Sequence, residues 1–269
     1  WSRAGADKTR LAGMFRNQYD SDNVTWSPQG RIYQIEYATE AVKQGSAAVG
    51  LKSKTHAVVA AFKRSSGDHS SHQGKVFHID DHVGIAISGL TADARLLSKF
   101  MRTCCLQHRL TYDENHPVER LVTRIADKSQ VHTQTYGRRP YGVGLLVIGY
   151  DETGAHLFET CPSGNYFDYY SQAIGARAQS GRTYLEKNFA SFPDLSADEL
   201  VRHALLALRE TTGSTTEGLT ALNTDVAIVG DNTPFRILDS TEVARHLSSI
   251  EAAEEEGGKE SQPIMDTTA

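Results

Sequence analysis

Three cysteines among 269 residues (Cys104, Cys105 and Cys161), with no Cys-x-x-Cys spacing, leave no disulfide framework and no zinc-finger pattern. An odd, low count of this kind fits a reducing compartment. No apolar run approaches the roughly 20 residues that span a bilayer. The first residues hold no apolar segment of a secretory leader, so no membrane partner is expected. A charge excess is missing from the body as well. The formal net charge is −5, and residues 251–269 account for it with six acids against one lysine, Lys259. A neutral body offers no electrostatic footprint for nucleic acid. Spacing alone gives no catalytic set: there is no GxSxG elbow, no HExxH and no phosphate loop. No cofactor and no metal are expected.

What remains is an ordinary globular composition, 39% hydrophobic and 23% charged, long enough to bury a large core. Residues 1–13 show no periodicity and read as a variable extension ahead of a domain spanning 14–250. Residues 251–269, acidic with a Gly-Gly pair, are expected to stay unordered. Residues 19–30 (YDSDNVTWSPQG) carry turn chemistry and two aromatics in a polar context, Tyr19 and Trp26. These belong to a binding surface, or they staple the loop to its own domain.

Periodicity then predicts a helix over 31–45, with Ile32, Ile35, Ala38 or Thr39, and Val42 on one face. Strands follow at 47–51, 56–62, 75–79 and 83–88. A helix over 91–110 places Ala94, Leu97, Phe100 or Met101, and Cys104 or Cys105 on one face, with Thr91 as its N-cap and Asp93 in its first turn. A second helix over 117–134 has Pro117 in its first turn and buries Val118, Leu121, Val122 and Ile125. Strands are predicted at 143–150, 155–161 and 169–176, and helices at 179–189 and 196–211. The second of these shows a capping box, Ser196 with Glu199. Strands at 225–230 and 234–238 and a helix over 239–250 complete the chain. Antiparallel strand blocks alternate with helix pairs, without internal repeats. That order suits an α+β fold, a four-layer αββα sandwich of two antiparallel sheets.

Two motifs have bland readings that outweigh sharper ones. His78 and His82 flank Asp80 and Asp81 in HIDDH, but the segment reads as a turn and no further ligand stands nearby in sequence. Arg138–Arg139–Pro140 reads as a surface or interface salt bridge. Phosphate binding would want more cations or a glycine-rich turn.

The run Tyr19–Gly45, with SPQGRIYQIEYATEAVKQG and a Tyr-Asp pair nine residues before the proline, resembles the N-terminal signature of proteasome alpha subunits. Three further stretches match in the family's order: KVFHIDDHVGIAISGLTADARLL (75–97), GRRPYGVGLLVIGYD (137–151) and IGARAQSGRTYLE (174–186). The resemblance covers about residues 14–250. It implies the N-terminal-nucleophile hydrolase sandwich, but not its chemistry. Ser46 stands where the related beta subunits have their N-terminal threonine, and it lies deep in the chain without a free amine. Phe62 stands near the place of a catalytic acid, and Lys75 matches a catalytic lysine that has no nucleophile to serve. No catalytic residue is therefore expected.

The resemblance implies a member of the core particle's outer ring, acting in ubiquitin-dependent protein breakdown in cytoplasm and nucleus. Its partners would be other alpha subunits in a heptameric ring, beta subunits of the inner ring, and regulatory caps. Residues 14–30 would form a gate segment, with Tyr19, Asp20, Pro28 and Tyr37 as the gate cluster. Ser21 stands where the family often has Arg. Lys75, Gly45 and Leu90 match the pocket that receives activator C-termini, and a lysine suits a terminal carboxylate. The rival readings are a hydrolase that cleaves itself before Ser46 or a threonine, and a stand-alone binding domain.

Overall fold

The computed structural model describes residues 19–64, 73–213 and 218–259. Helix α1 (Tyr33–Gln44) leads into strands β1 (Ala48–Lys52), β2 (His56–Phe62), β3 (Val76–Asp80) and β4 (Val83–Gly89). Helices α2 (Thr91–Tyr112) and α3 (Val118–Gln134) follow, then strands β5 (Val143–Asp151), β6 (Gly154–Thr160), β7 (Tyr166–Asp168) and β8 (Ser171–Ile174). Helix α4 (Ala178–Asn188) runs into a 3-10 turn (Phe189–Asp194). Helix α5 (Ala197–Thr212), strands β9 (Thr224–Gly230) and β10 (Thr233–Ile237), and helix α6 (Ser240–Lys259) end the described chain.

The strands form two antiparallel five-stranded sheets, ordered β10-β9-β2-β1-β8 and β3-β4-β5-β6-β7. Small and branched residues line the space between them: Ala57, Val59 and Ala61 from β2, Ala86 from β4, Ile148 from β5 and Ala227 from β9. Ala and Val at these inward positions let the sheets approach closely. Gly84 belongs to the same layer: a Cβ there would sit 1.9 Å from the Phe235 ring, so only glycine admits that ring. The outer face of the first sheet packs on α4, α5 and α6 through Leu185, Leu200, Ala204, Leu208 and Val243. The second packs on α2 and α3 through Leu97, Met101, Leu121, Val122 and Ile125. The four-layer αββα sandwich is the architecture observed.

Several boundaries differ from expectation. Helix α1 begins at Tyr33 and buries Tyr33, Ala38 and Val42, while Ile32 is its N-cap and Ile35 is half-buried. Thr91 is the first helical residue of α2, not its cap; Leu90 is the cap, and it makes no side-chain cap bond. Asp93 stands in the first turn as expected, and also makes a tertiary contact. Pro117 is the N-cap of α3, one residue before the helix. The expected strand over 169–176 shortens to β8, which leaves its neighbours to pair with β1 in the other sheet. The capping box at Ser196 forms, with the Glu199 carboxylate accepting the Ser196 N–H at 2.9 Å.

The largest difference is at the acidic end. Helix α6 continues to Lys259, nine residues into the segment expected to be unordered. Ile250 is buried in the core, and the following EAAEEE is made of good helix formers that propagate a turn already nucleated. Residues 260–269 and the 1–13 extension lie outside the described residues, as does the gate segment before Tyr19.

Candidate functional site

The loop before α1 is built by local hydrogen bonds. The Asp22 carboxylate accepts the N–H groups of Val24 (2.9 Å) and Thr25 (2.8 Å). The Val24 bond, then the Thr25 hydroxyl, hold Asp22 below the usual carboxylate range. Asn23 is buried and donates to the carbonyls of His132 (2.5 Å) and Thr135 (3.1 Å), which ties the loop to the C-terminal end of α3. Its role gave no signal in sequence, because the partners are backbone atoms 109 and 112 positions away. Ser27 to Arg31 forms a tight turn: Gly30 donates to the Ser27 carbonyl and Arg31 to the Ser27 hydroxyl. Pro28 stands exposed on it, and Gly30 takes φ +73°, a conformation glycine adopts without strain. Trp26 is 63% exposed, so it does not staple the loop.

Two of the four expected cluster residues meet. The Tyr37 hydroxyl donates to the Asp20 carboxylate at 3.1 Å, and Gln34 donates to the Asp20 carbonyl. Tyr33 stacks on Tyr37, with ring centroids 6.3 Å apart, and Arg31 grips Glu36 through two bonds. Tyr19 is half-buried beside Asp20; among the described residues no hydrogen bond joins Tyr19 or Pro28 to the Asp20–Tyr37 pair.

The Gly45–Lys75–Leu90 set is brought together by the sheet. The Lys75 carbonyl accepts the Ile87 N–H at 3.0 Å, two residues from Gly89. Gly45 lies against Gly89 so closely that a Cβ would fall 2.2 Å from the Gly89 nitrogen. Leu90 follows, 48% exposed, with its N–H on the Gly142 carbonyl. Lys75 is nine-tenths buried. Its burial, and then the charge of Arg64, push the ammonium below its usual value. The nearby Asp225 carboxylate is committed elsewhere, to the Lys63 ammonium at 2.8 Å and the Lys75 N–H at 3.0 Å. Arg64 itself donates to the Gln44 carbonyl at the end of α1.

Asp93 fixes the loop beside this set. It accepts two bonds from Arg139 (2.7 and 2.8 Å) and one from the Gly142 N–H (2.9 Å). The basic loop therefore makes the salt bridge its composition suggested. Ser46, in the nucleophile's place, is buried between Gly45 and Ala47 in continuous backbone, and its hydroxyl has no partner among the described residues. Phe62 packs on the core between the first sheet and its helices. A phenyl ring there cannot hold a proton or a charge.

A family profile described as "Proteasome subunit" matches residues 42–229, and a second, for the N-terminal signature of the A-type proteasome subunits, matches residues 19–41. The chain belongs to the proteasome subunit family. Its N-terminal signature places it among the alpha-type members, which are non-catalytic in the complex, so the self-cleaving hydrolase reading is set aside. Among its relatives, "Proteasome subunit alpha type-1" of Dictyostelium discoideum is 57% identical over 241 residues, 90% of this chain and 97% of that protein. The protein of the same name from Caenorhabditis elegans is 50% identical over 88% of this chain and 91% of its own length. "Probable proteasome subunit alpha type-6" of Schizosaccharomyces pombe is 51% identical over 88% of this chain and 87% of its own length. The stretches FRNQYD and NVTWSPQGRI also resemble the eukaryotic alpha type-1 wording. As a member of the proteasome the chain assembles with other proteasome subunits, which excludes the stand-alone domain. Among the described residues no helix is long and apolar enough to cross a membrane.

Proposed function

We propose that this chain occupies the heptameric outer ring of the core particle, contributes residues 14–30 to the gate over substrate entry, and docks regulatory caps at Lys75. Beta subunits of the inner ring would lie beneath it, and such a particle would serve ubiquitin-dependent breakdown in cytoplasm and nucleus. The observation that carries the docking role is the Lys75 ammonium. It is buried, and no carboxylate pairs with it among the described residues. A buried cation without a counter-ion is unfavourable in the free chain. A cap's C-terminal carboxylate would supply the missing charge, and Leu90 would take the preceding apolar side chain.

The gate role is supported by the Asp20–Tyr37 bond. That bond closes within one chain, so Tyr37 holds the root of the gate segment on its own body. Tyr19 and Pro28 remain available to a neighbour's cluster. The Ser21 side chain cannot supply the ion pair that an arginine would add.

Replacing Lys75 by alanine in the assembled particle tests the docking role. Cap-stimulated peptidase activity should fall while the unstimulated rate stays the same. A charge-assisted bond is worth about 1.5–3 kcal/mol, so affinity for a C-terminal cap peptide should drop about ten-fold or more. Unchanged stimulation and affinity would remove the pocket from this chain.

A further inference from the structure

The turn between β3 and β4 meets helix α2 at a cluster that the ring and gate roles do not use. Asp80, His82 and Cys105 each offer one ligand atom there, all within 4.8 Å of one another. Sequence reading found no further ligand near HIDDH; the fold supplies Cys105 from 23 residues downstream, on the buried face of α2.

The histidine is oriented as a ligand would be. His82 is 5% exposed, and its Nε2 lies 2.8 Å from the His116 carbonyl. A carbonyl only accepts, so Nε2 carries the proton and the neutral ring's Nδ1 is a bare lone pair. Burial favours that neutral form. Nδ1 is buried with no hydrogen-bond partner among the described residues. It faces Asp80 Oδ2 at 3.7 Å, acceptor to acceptor. The other oxygen of Asp80 is occupied by Arg109 (2.6 Å) and the Asp81 N–H (2.9 Å). One lone pair from nitrogen, one carboxylate oxygen and one sulfur thus converge, and none of the three supplies a donor that satisfies Nδ1.

We infer that Asp80, His82 and Cys105 form a binding site for a divalent cation of borderline softness, such as Zn2+. Mixed S, N and O ligands suit zinc, and hard cations such as Mg2+ or Ca2+ would avoid the thiol. The carbonyl on Nε2 is the outer partner that fixes ring orientation at metal-bound histidines. Cys105 binds as thiolate and its proton leaves to solvent. Zinc bonds of about 2.0–2.3 Å place neighbouring ligands roughly 3.5 Å apart, so the cluster must tighten by about 1 Å, within reach of a side-chain adjustment. A water would complete the tetrahedron. Bound there, the ion would clamp the β3–β4 turn to α2.

Cobalt(II) added to the purified full-length chain tests this. We expect one ion per chain, intense tetrahedral d–d bands and a thiolate-to-cobalt charge-transfer band. Cys105→Ser should abolish that last band and weaken binding by more than the about 10–100-fold typical of losing an outer partner. Asp80→Asn, which keeps an oxygen for Arg109, should weaken binding as well. Cys104→Ala, one position away on the same helix, should change neither. A charge-transfer band that survives in Cys105→Ser, that vanishes equally in Cys104→Ala, or that never forms in the wild-type chain would overturn the site.

Discussion

Asp93 shows how one residue holds two segments 46 positions apart. Burial alone would raise its carboxyl, but the bonds from Arg139 and the Gly142 N–H outweigh this and leave it below the usual value. A depressed carboxyl stabilises the fold above its unfolded value of about 3.9, and that contribution is lost as pH falls through the lower folded value. Arg139→Ala removes two of the three donors from a carboxylate whose side chain is 4% exposed. Because the guanidinium is largely in water, the expected cost is about 2 kcal/mol, below that of a fully buried pair. Urea unfolding at neutral pH measures it, and the variant should lose less stability than wild type when acidified below about pH 4. Lys75 is the opposite case. Its lowered value means that the unfolded chain binds its proton more readily, so stability rises with pH where this lysine titrates. Lys75→Met should therefore melt no lower than wild type, while cap stimulation falls. A lower melting temperature would mean that the lysine is structural.

At the scale of elements, α1 and β4 meet with no room for a side chain. Gly45→Ala would drive a Cβ into the Gly89 nitrogen and the Ser88 hydroxyl, which bonds the Val42 and Ser46 carbonyls. The helix end must move, at a cost of about 1–3 kcal/mol or more. Thermal unfolding should show the loss, whereas Gly30→Ala, with open space at its Cβ position, should suffer only from its positive φ. At the start of α5, Ser196→Ala should cost about 1 kcal/mol in the same assay. Strong periodicity made most elements legible, because buried faces repeat at 3.6 or 2 residues: α3 buries the Val118, Leu121, Val122 and Ile125 stripe that its spacing predicts. What was not legible depends on distant partners. Residues 166–168 form a strand only because β6 offers its edge, and β8 changes sheets because β1 does. The candidate sites divide in the same way. Asp20 and Tyr37 are grouped only through the family resemblance, and their bond within one chain needed the structure. Asn23 at the end of α3, and Cys105 beside His82, required the packed fold.

For the whole molecule, two sheets closed by outer helices hold Ser46 inside continuous backbone, while the Asp20–Tyr37 bond sits on α1 and the Gly45–Gly89 contact follows its C-terminal end. Helix α1 occupies the chain ahead of Ser46 and packs on β4 and β5. Its removal would expose Val42 and the Gly45–Gly89 contact rather than free an active amine. A structural alpha-type member of the particle works without cleavage ahead of Ser46. Native mass spectrometry of the particle isolated through a tag on this chain tests it most directly. The expected result is a barrel-sized assembly with other alpha and beta subunits, in which this chain keeps its residues before Ser46. A lone monomer, or a chain cut immediately before Ser46, would contradict it.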